Sequence, residues 1–357
     1  MNHEDKLIIK KELLQNLENY GVIWDEVNHK VIVEDFREVQ YRLSLMTNSK
    51  GHEYKNKFRD FIADPSDINI CKISPYLVPV EAIKNYRQLW AYATSYWSVP
   101  VTVGFGRRIR YFVFDKYNDK LIGIVGLCDP VIGLGVRDIN SIGWTKEQKM
   151  QRLYNCMTAY ILGAIPPYNL VLGSKLVALT LMFPQIRKDF NFKYKNSPSL
   201  ITGENKKANL VYIDTLGAFG KSAIYNRLMN WEFIDYTKGQ SHLHITANGS
   251  WDLIRQVVPE DVFDTYAFGE GPNWKMRILK RGLRELGLSE DMLSIGWQRG
   301  YYRCTLAENW QEYLLGETNH PTWKNYTQRD LIDYWRERWV YPRIDNLQQS
   351  LDSFVPN

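Results

Sequence analysis

The residues of this chain best suited to chemistry crowd into one stretch, Gly104 to Gly239, at the ends of apolar runs, where folds place sites rather than packing. Gly104-Phe105-Gly106-Arg107-Arg108-Ile109-Arg110 joins backbone freedom to three arginines, the preferred forks for phosphate. Leu172-Gly173-Ser174-Lys175-Leu176 sets a glycine, a hydroxyl and an amine where an apolar helix begins, and free backbone N–H groups at a helix start attract anions. Gly220-Lys221-Ser222 leads into Tyr225-Asn226-Arg227, so that on a helix Lys221, Tyr225 and Leu228 share a face. A neighbouring cation favours the phenolate that a nucleophile or acid would use. One lysine does not bring a phenol that titrates at about 10 near neutrality, which favours packing for Tyr225. Asp138, next to Arg137 and ahead of Ile142-Gly143-Trp144, offers a carboxylate for a polar clamp or a turn cap. The catalytic candidates are therefore Tyr225, Asp138 and Lys221, and the ligand-holding candidates Gly173, Ser174, Lys175, Asn226 and Arg227. Asp138, Gly173, Ser174, Lys175, Lys221, Tyr225 and Arg227 are expected to converge on one cleft.

Several chemistries are excluded. Gly217 stands three residues before Gly220, so the Gly-x4-Gly-Lys-Ser pattern of a nucleotide hydrolase is not met. No spaced Asp/Glu set suggests a two-metal nuclease. His242 and His244 form a His-x-His pair on an expected strand face, but without further ligands nearby, so no metal site is assigned. Cys71, Cys128, Cys156 and Cys304 are too scattered for a zinc site or a disulfide framework. The start of the chain lacks the apolar core of a signal peptide, and no window reaches the roughly 18 apolar residues of a membrane span. A cytoplasmic protein without membrane contact is expected.

The net charge of +5 permits polyanion binding without requiring it, and a 14% aromatic content serves both packing and base stacking. Besides Arg107, Arg108 and Arg110, a basic helix carries Lys280, Arg281 and Arg284, and the tail interleaves Tyr334, Trp335, Trp339 and Tyr341 with arginines. Three basic–aromatic segments together make DNA a candidate partner.

Elements must position these groups. Apolar spacing predicts helices over residues 5–60, a short helix within 78–95, and strands at 110–114 and 121–127 joined by a turn at Asn118-Asp119. Thr145 and Gln148 form a capping box that opens a helix expected to reach Leu162. A buried helix over 174–182, a strand at 210–215, a helix at 221–230 and a strand at 231–236 follow. Helices are expected at 251–258 and 274–286. Three regions result: a helical N-terminal region (1–70), an α/β (α+β) core with a central mixed sheet (75–245), and a helical, aromatic C-terminal region (246–357).

The order of strands and helices around Leu172–Leu176 resembles the core of Gcn5-related N-acetyltransferases, whose glycine-bearing loop holds a pyrophosphate. That likeness implies an acyl-coenzyme A or nucleotide ligand at Gly173, although one glycine stands where that loop usually has two. No cofactor follows from the residues themselves.

A second resemblance covers roughly residues 75–315. Leu121-Ile122-Gly123, Arg137-Asp138, Ile142-Gly143-Trp144, Arg152-Leu153 and Pro166-Pro167-Tyr168-Asn169 appear in order. Leu172–Leu176, Asp189-Phe190, Tyr194, Thr215, Gly220, Tyr225–Leu228, Trp231 and Thr237-Lys238-Gly239 follow. This pattern is similar to the DruA family of the Druantia anti-phage system, a branch of which accompanies transposable elements. The resemblance implies a defence role beside other system proteins, including a helicase-like partner, and supplies no agreed reaction. DNA-contacting defence component, enzyme with an acetyltransferase-like pocket, mobile-element DNA-processing protein and structural subunit for a helicase all stay open at this point.

Overall fold

The computed structural model describes residues 1–198, 203–239, 241–247, 249–265 and 274–355. Near the N-terminus a two-stranded antiparallel hairpin, β1 (Val22–Asp25) and β2 (Lys30–Val33), lies between the helices His3–Glu18 and Phe36–Asn48. The main sheet has seven strands: β3 (Pro75–Pro79), β4 (Arg108–Asp115), β5 (Leu121–Cys128), β6 (Cys156–Ala164), β7 (Tyr212–Leu216), β8 (Trp231–Tyr236) and β9 (Gly300–Thr305). Their order is β3-β4-β5-β6-β7-β9-β8, and every neighbouring pair is antiparallel except β6 with β7. The mixed sheet flanked by helices agrees with the expected α/β class.

The β4–β5 hairpin turns at Asn118-Asp119, where Asp119 takes a positive φ of 57° that Asp tolerates well. The capping box also forms: Thr145 Oγ1 accepts from Gln148 N, and the Gln148 side chain accepts from Thr145 N. Its helix ends at Arg152, however, and Cys156–Ala164, expected as more helix, is the central strand β6. Both faces of β6 are covered, so its apolar run has no period-two alternation to separate it from a buried helix.

The buried helix expected over 174–182 forms as Gly173–Leu179 with a 3-10 turn to Met182, and Pro184 then opens the next helix, Pro184–Tyr194, at its first position, where the missing N–H costs nothing. Two other expectations fail. Residues 221–230 form successive turns instead of a helix, with Arg227 and Asn230 at positive φ. Tyr225 therefore shares no helical face with Lys221. His242 and His244 lie at a short helix, Leu243–Thr246, and not on a strand.

Packing groups the chain differently from its linear order. One sheet face, with Met157, Ala159, Ile213, Tyr302 and Cys304, buries against the 173–194 helices and the C-terminal helices Gln328–Trp335 and Ile344–Asp352. The other face packs Phe112, Ile124 and Ile161 against the helix Tyr86–Thr94, and Cys156 and Tyr212 against Ile142, Trp144 and Tyr313. The N-terminal helices share a separate core with the helices Ser250–Val257 and Trp274–Glu285, built on Leu13, Leu17, Leu43, Ile254, Leu279 and Leu283.

Candidate functional site

The Gly173 and Tyr225 loops do meet, and protein atoms fill the space between them. After β6 the chain passes the cis peptide Pro166–Pro167, takes a positive φ at Leu172 and enters the helix Gly173–Leu179. A Cβ on Gly173 would stand 2.5 Å from the Tyr168 carbonyl oxygen, so glycine is needed for close packing. Ser174 Oγ accepts from Ala164 N at 3.1 Å. Lys175 is buried, and its Nζ donates to the carbonyls of Ala223, Ile224 and Asn226 at 2.6, 2.9 and 3.2 Å, 4.0 Å from the centre of the Trp339 ring. Burial lowers its pKa to about 8. Trp335 closes the loop from the C-terminal side, its Nε1 donating to Leu172 O at 3.2 Å.

Tyr225 is equally enclosed. Its ring stacks on Trp231 at 4.8 Å and meets Tyr302 at 5.1 Å. Burial pushes its phenol up to about 12 against a hydrogen bond with Thr215, whose Oγ1 donates to Ala159 O at 2.8 Å. Lys221 is exposed above the Phe233 ring at 4.4 Å, and Asn226 and Arg227 face solvent. The lysine that approaches Tyr225's turn is thus Lys175, not Lys221.

Asp138 is on the opposite sheet face and does not join this group. Strict alternation along β7 sends Ile213 toward Tyr225 and Tyr302, and Tyr212 toward Ile142 and Trp144 beside Asp138. Asp138 sits in a π-helical turn, Val136–Ile142, with the fully buried Arg137 next to it. Its carboxylate accepts from Arg137 Nε at 2.9 Å, Trp144 Nε1 at 3.1 Å, Leu134 N at 3.1 Å and Lys149 Nζ at 3.0 Å. Burial alone would raise its pKa; the Arg137 guanidinium and these hydrogen bonds outweigh it and hold the acid below its ordinary range. Arg137 also donates to the carbonyls of Val131 and Ile132 at 2.8 and 3.1 Å. A carboxylate with so many donors clamps the loop and has no lone pair facing open space.

Beside it runs a buried relay that no motif announces. Asp214 accepts from Thr158 Oγ1 and from Tyr301 OH at 2.9 Å. Tyr301 and Tyr212 share a hydrogen bond at 2.8 Å, and Tyr212 and Ser141 another at 2.7 Å. Arg303 donates to Ser141 O at 3.1 Å and pairs with Glu232 at 2.6 Å. Burial pushes the Asp214 carboxyl above its ordinary pKa. The sequence signal was an acid in the interior of an apolar strand. Arg299, equally unmarked, donates from Nε to Gly217 O at 3.0 Å, and burial lowers its pKa to about 10.

The six basic candidates divide sharply. Arg107 pairs with Asp129 at 2.7 Å and lies 3.9 Å from the Tyr154 ring centre, so it is an internal ion pair. Arg110 is held between Tyr86 and Trp90 at 5.6 and 5.4 Å, with Glu81 3.9 Å away. Arg108 is exposed; its carbonyl accepts from Lys193 Nζ and Tyr194 OH, each at 2.9 Å. On the basic helix Trp274–Glu285, Lys280 and Arg284 pair with Glu290 at 2.8 and 3.5 Å, and Arg281 with Glu285 at 2.8 Å. Glu290 thus serves two cations and Glu285 is shared with Lys6, so these three residues are paired while the helix keeps a net positive charge.

Residues 28–316 match the family described as Druantia protein DruA. The chain belongs to the DruA family. It is 34% identical over 351 residues to the Druantia protein DruA of Escherichia coli (strain UMEA 4076-1), covering 94% of this chain and 87% of that protein. No solved structure matches it. Membership makes this DruA-family protein a component of the Druantia anti-phage system. Among the described residues no helix is long and apolar enough to cross a membrane. The residues on which the resemblance rested hold the fold together here: Arg137-Asp138 and Trp144 form the clamp, Tyr168 OH donates to Asp115 at 3.1 Å, and Asp189 accepts from Tyr111 OH at 2.7 Å. These are fold-defining contacts, and the exposed chemistry lies elsewhere.

Proposed function

We propose that this DruA-family protein serves anti-phage defence in the cytoplasm by holding DNA on the rim of the sheet where β4 begins, beside a helicase-like partner. The observation that carries this reading is Arg108, an exposed arginine with no acidic partner among the described residues. Lys193 reaches its carbonyl, and Lys206 joins the same end of the sheet, donating to Met150 O at 2.6 Å. Phe105 and Phe192, 47% and 81% exposed, lie beside these cations, the pairing of charge and ring that single strands and frayed ends favour. The nearby Asp129 is already neutralised by Arg107.

The partner reading draws on adjacent loops. Asp129 N donates to Phe105 O, and Arg137 holds the carbonyls of Val131 and Ile132. Val103, Phe105, Val131 and Ile132 on these loops are exposed, and exposed apolar side chains grouped on neighbouring loops favour a protein contact.

The strand order, with one parallel pair among antiparallel neighbours, supports the likeness to an acetyltransferase core. The filled Gly173 loop speaks against a coenzyme there, so the core is read as a scaffold. Binding of the full chain to DNA across a salt series tests the proposal. Each phosphate contact releases counterions, so Arg108→Ala, Lys193→Ala and Lys206→Ala together should lower the log–log slope by about 2–3. An unchanged slope overturns it.

A further inference from the structure

A cleft of about 690 Å³ lies between the start of the helix Pro184–Tyr194 and residues 325–328, away from the DNA rim. Its lining includes Arg187, Lys188, Gln185, Asn325, Tyr326 and Gln328. Arg187 is half-buried and lies against Trp323, 4.4 Å from the ring centre, so its plane is fixed. Among the described residues it has neither a carboxylate nor a carbonyl acceptor. A desolvated, oriented guanidinium without a counter-charge is costly to keep, and it matches the planar oxygens of a phosphate.

The remaining wall fits that ligand. Lys188 is exposed at the mouth and adds a second positive charge. The cleft's acid, Asp189, accepts from Tyr111 OH at 2.7 Å, which directs one of its oxygens away from the space. Two helices begin here, Pro184–Tyr194 and Gln328–Trp335, and their positive ends reinforce an anion site without constituting one. The other wall carries the Tyr326 ring and the amides of Asn325 and Gln328, a surface able to pack a ring and hydrogen-bond base or ribose edges. The volume lies within the range of small-molecule sites.

We propose that this cleft binds a nucleoside phosphate, with Arg187 as the phosphate fork, Lys188 as the second charge, and Tyr326 with the surrounding amides facing the nucleoside. The occupant is a small molecule and the residues differ from those of the DNA rim, so this inference stands or falls separately.

Titration calorimetry of the full chain with AMP, GMP, CMP, UMP, adenosine and inorganic phosphate tests it. At least one nucleotide should bind saturably, at least tenfold tighter than inorganic phosphate. Arg187→Gln should weaken that nucleotide about tenfold to hundredfold, the loss expected for a hydrogen bond to a charged group. Arg187→Lys should recover only part of it, because an ammonium cannot form the fork. Lys188→Gln, an exposed change that leaves the Trp323 contact intact, gives a second variant should Arg187→Gln unfold, and should weaken binding severalfold. DNA binding measured in parallel should not change. Absence of saturable binding by all four nucleotides to millimolar concentration overturns the proposal. So does equal binding by folded Arg187→Gln, or by Lys188→Gln if only that variant folds, or inorganic phosphate binding as tightly as the nucleotide.

Discussion

Replacing Asp138 by Asn should unfold this protein more readily without touching a reaction. The carboxylate neutralises Arg137, which is fully buried, and accepts from Trp144, Leu134 and Lys149 as well. Asn keeps the shape but loses the charge, and its amide nitrogen must turn toward one pair of donors, Arg137 with Trp144 or Leu134 with Lys149. Removing one partner of a buried pair costs about 3–5 kcal/mol, because the surviving charge stays uncompensated. For a chain of this size each kcal/mol moves the melting temperature by about 1.3 °C, so a drop of roughly 4–7 °C is expected. Arg137→Met with Asp138→Asn removes both charges and should recover part of that loss, giving a coupling energy of about 1–3 kcal/mol in a double-mutant cycle. The pH dependence has a definite sign. A folded-state pKa below the ordinary 3.8 means that the stabilisation is present above that value and disappears as the pH falls through the folded pKa. Thermal unfolding of the three variants and the parent, with phage protection scored alongside, decides the matter. An unchanged melting temperature with protection abolished would refute the clamp and return Asp138 to catalysis.

Tyr225→Phe should cost about 0.5–1.5 kcal/mol for one hydrogen bond and keep phage protection, since the ring stack on Trp231 survives; loss of protection at unchanged melting temperature would contradict this. Gly173→Ala should destabilise by about 1–3 kcal/mol, read by urea denaturation, because its Cβ meets the Tyr168 carbonyl oxygen at 2.5 Å. His244, brought to about 4 by burial, is neutral in the fold and charged in the unfolded chain below its ordinary 6.5. Stability should therefore fall as the pH drops from 6.5 toward 4, and His244→Gln should flatten that slope. Lys280→Ala and Arg284→Ala should each lower the log–log salt slope of DNA binding by less than Arg108→Ala, because both cations share Glu290; an equal drop would place DNA on this helix instead.

Local chemistry was legible where it depends on neighbours in the chain. The Thr145–Gln148 box and the turn at Asn118-Asp119 form as their residues dictate, and the Gly173 and Tyr225 loops do approach one another. What escaped reading depends on tertiary burial. Cys156–Ala164 looks helical until one knows that helices cover both its faces, and Lys221–Asn230 loses its helix to the carbonyls that Lys175 claims. Asp138 lay beyond reach of Tyr225 because strand alternation, invisible without register, put them on opposite faces. Charge counting alone equated Arg107 with Arg108, although one is an internal ion pair and the other faces water.

The position of β9 bears on how the protein is made. Gly300–Thr305 inserts between β7 and β8, strands that were complete by residue 236, and the partners of the N-terminal helices extend to residue 293. On the ribosome, therefore, most of the chain must emerge before either core can close, and β7 and β8 wait with bare edges, a state prone to mispairing. Any translation arrest or truncation before Gly300 would release a chain unable to complete its sheet, so expression of shortened forms should yield insoluble material rather than smaller working units.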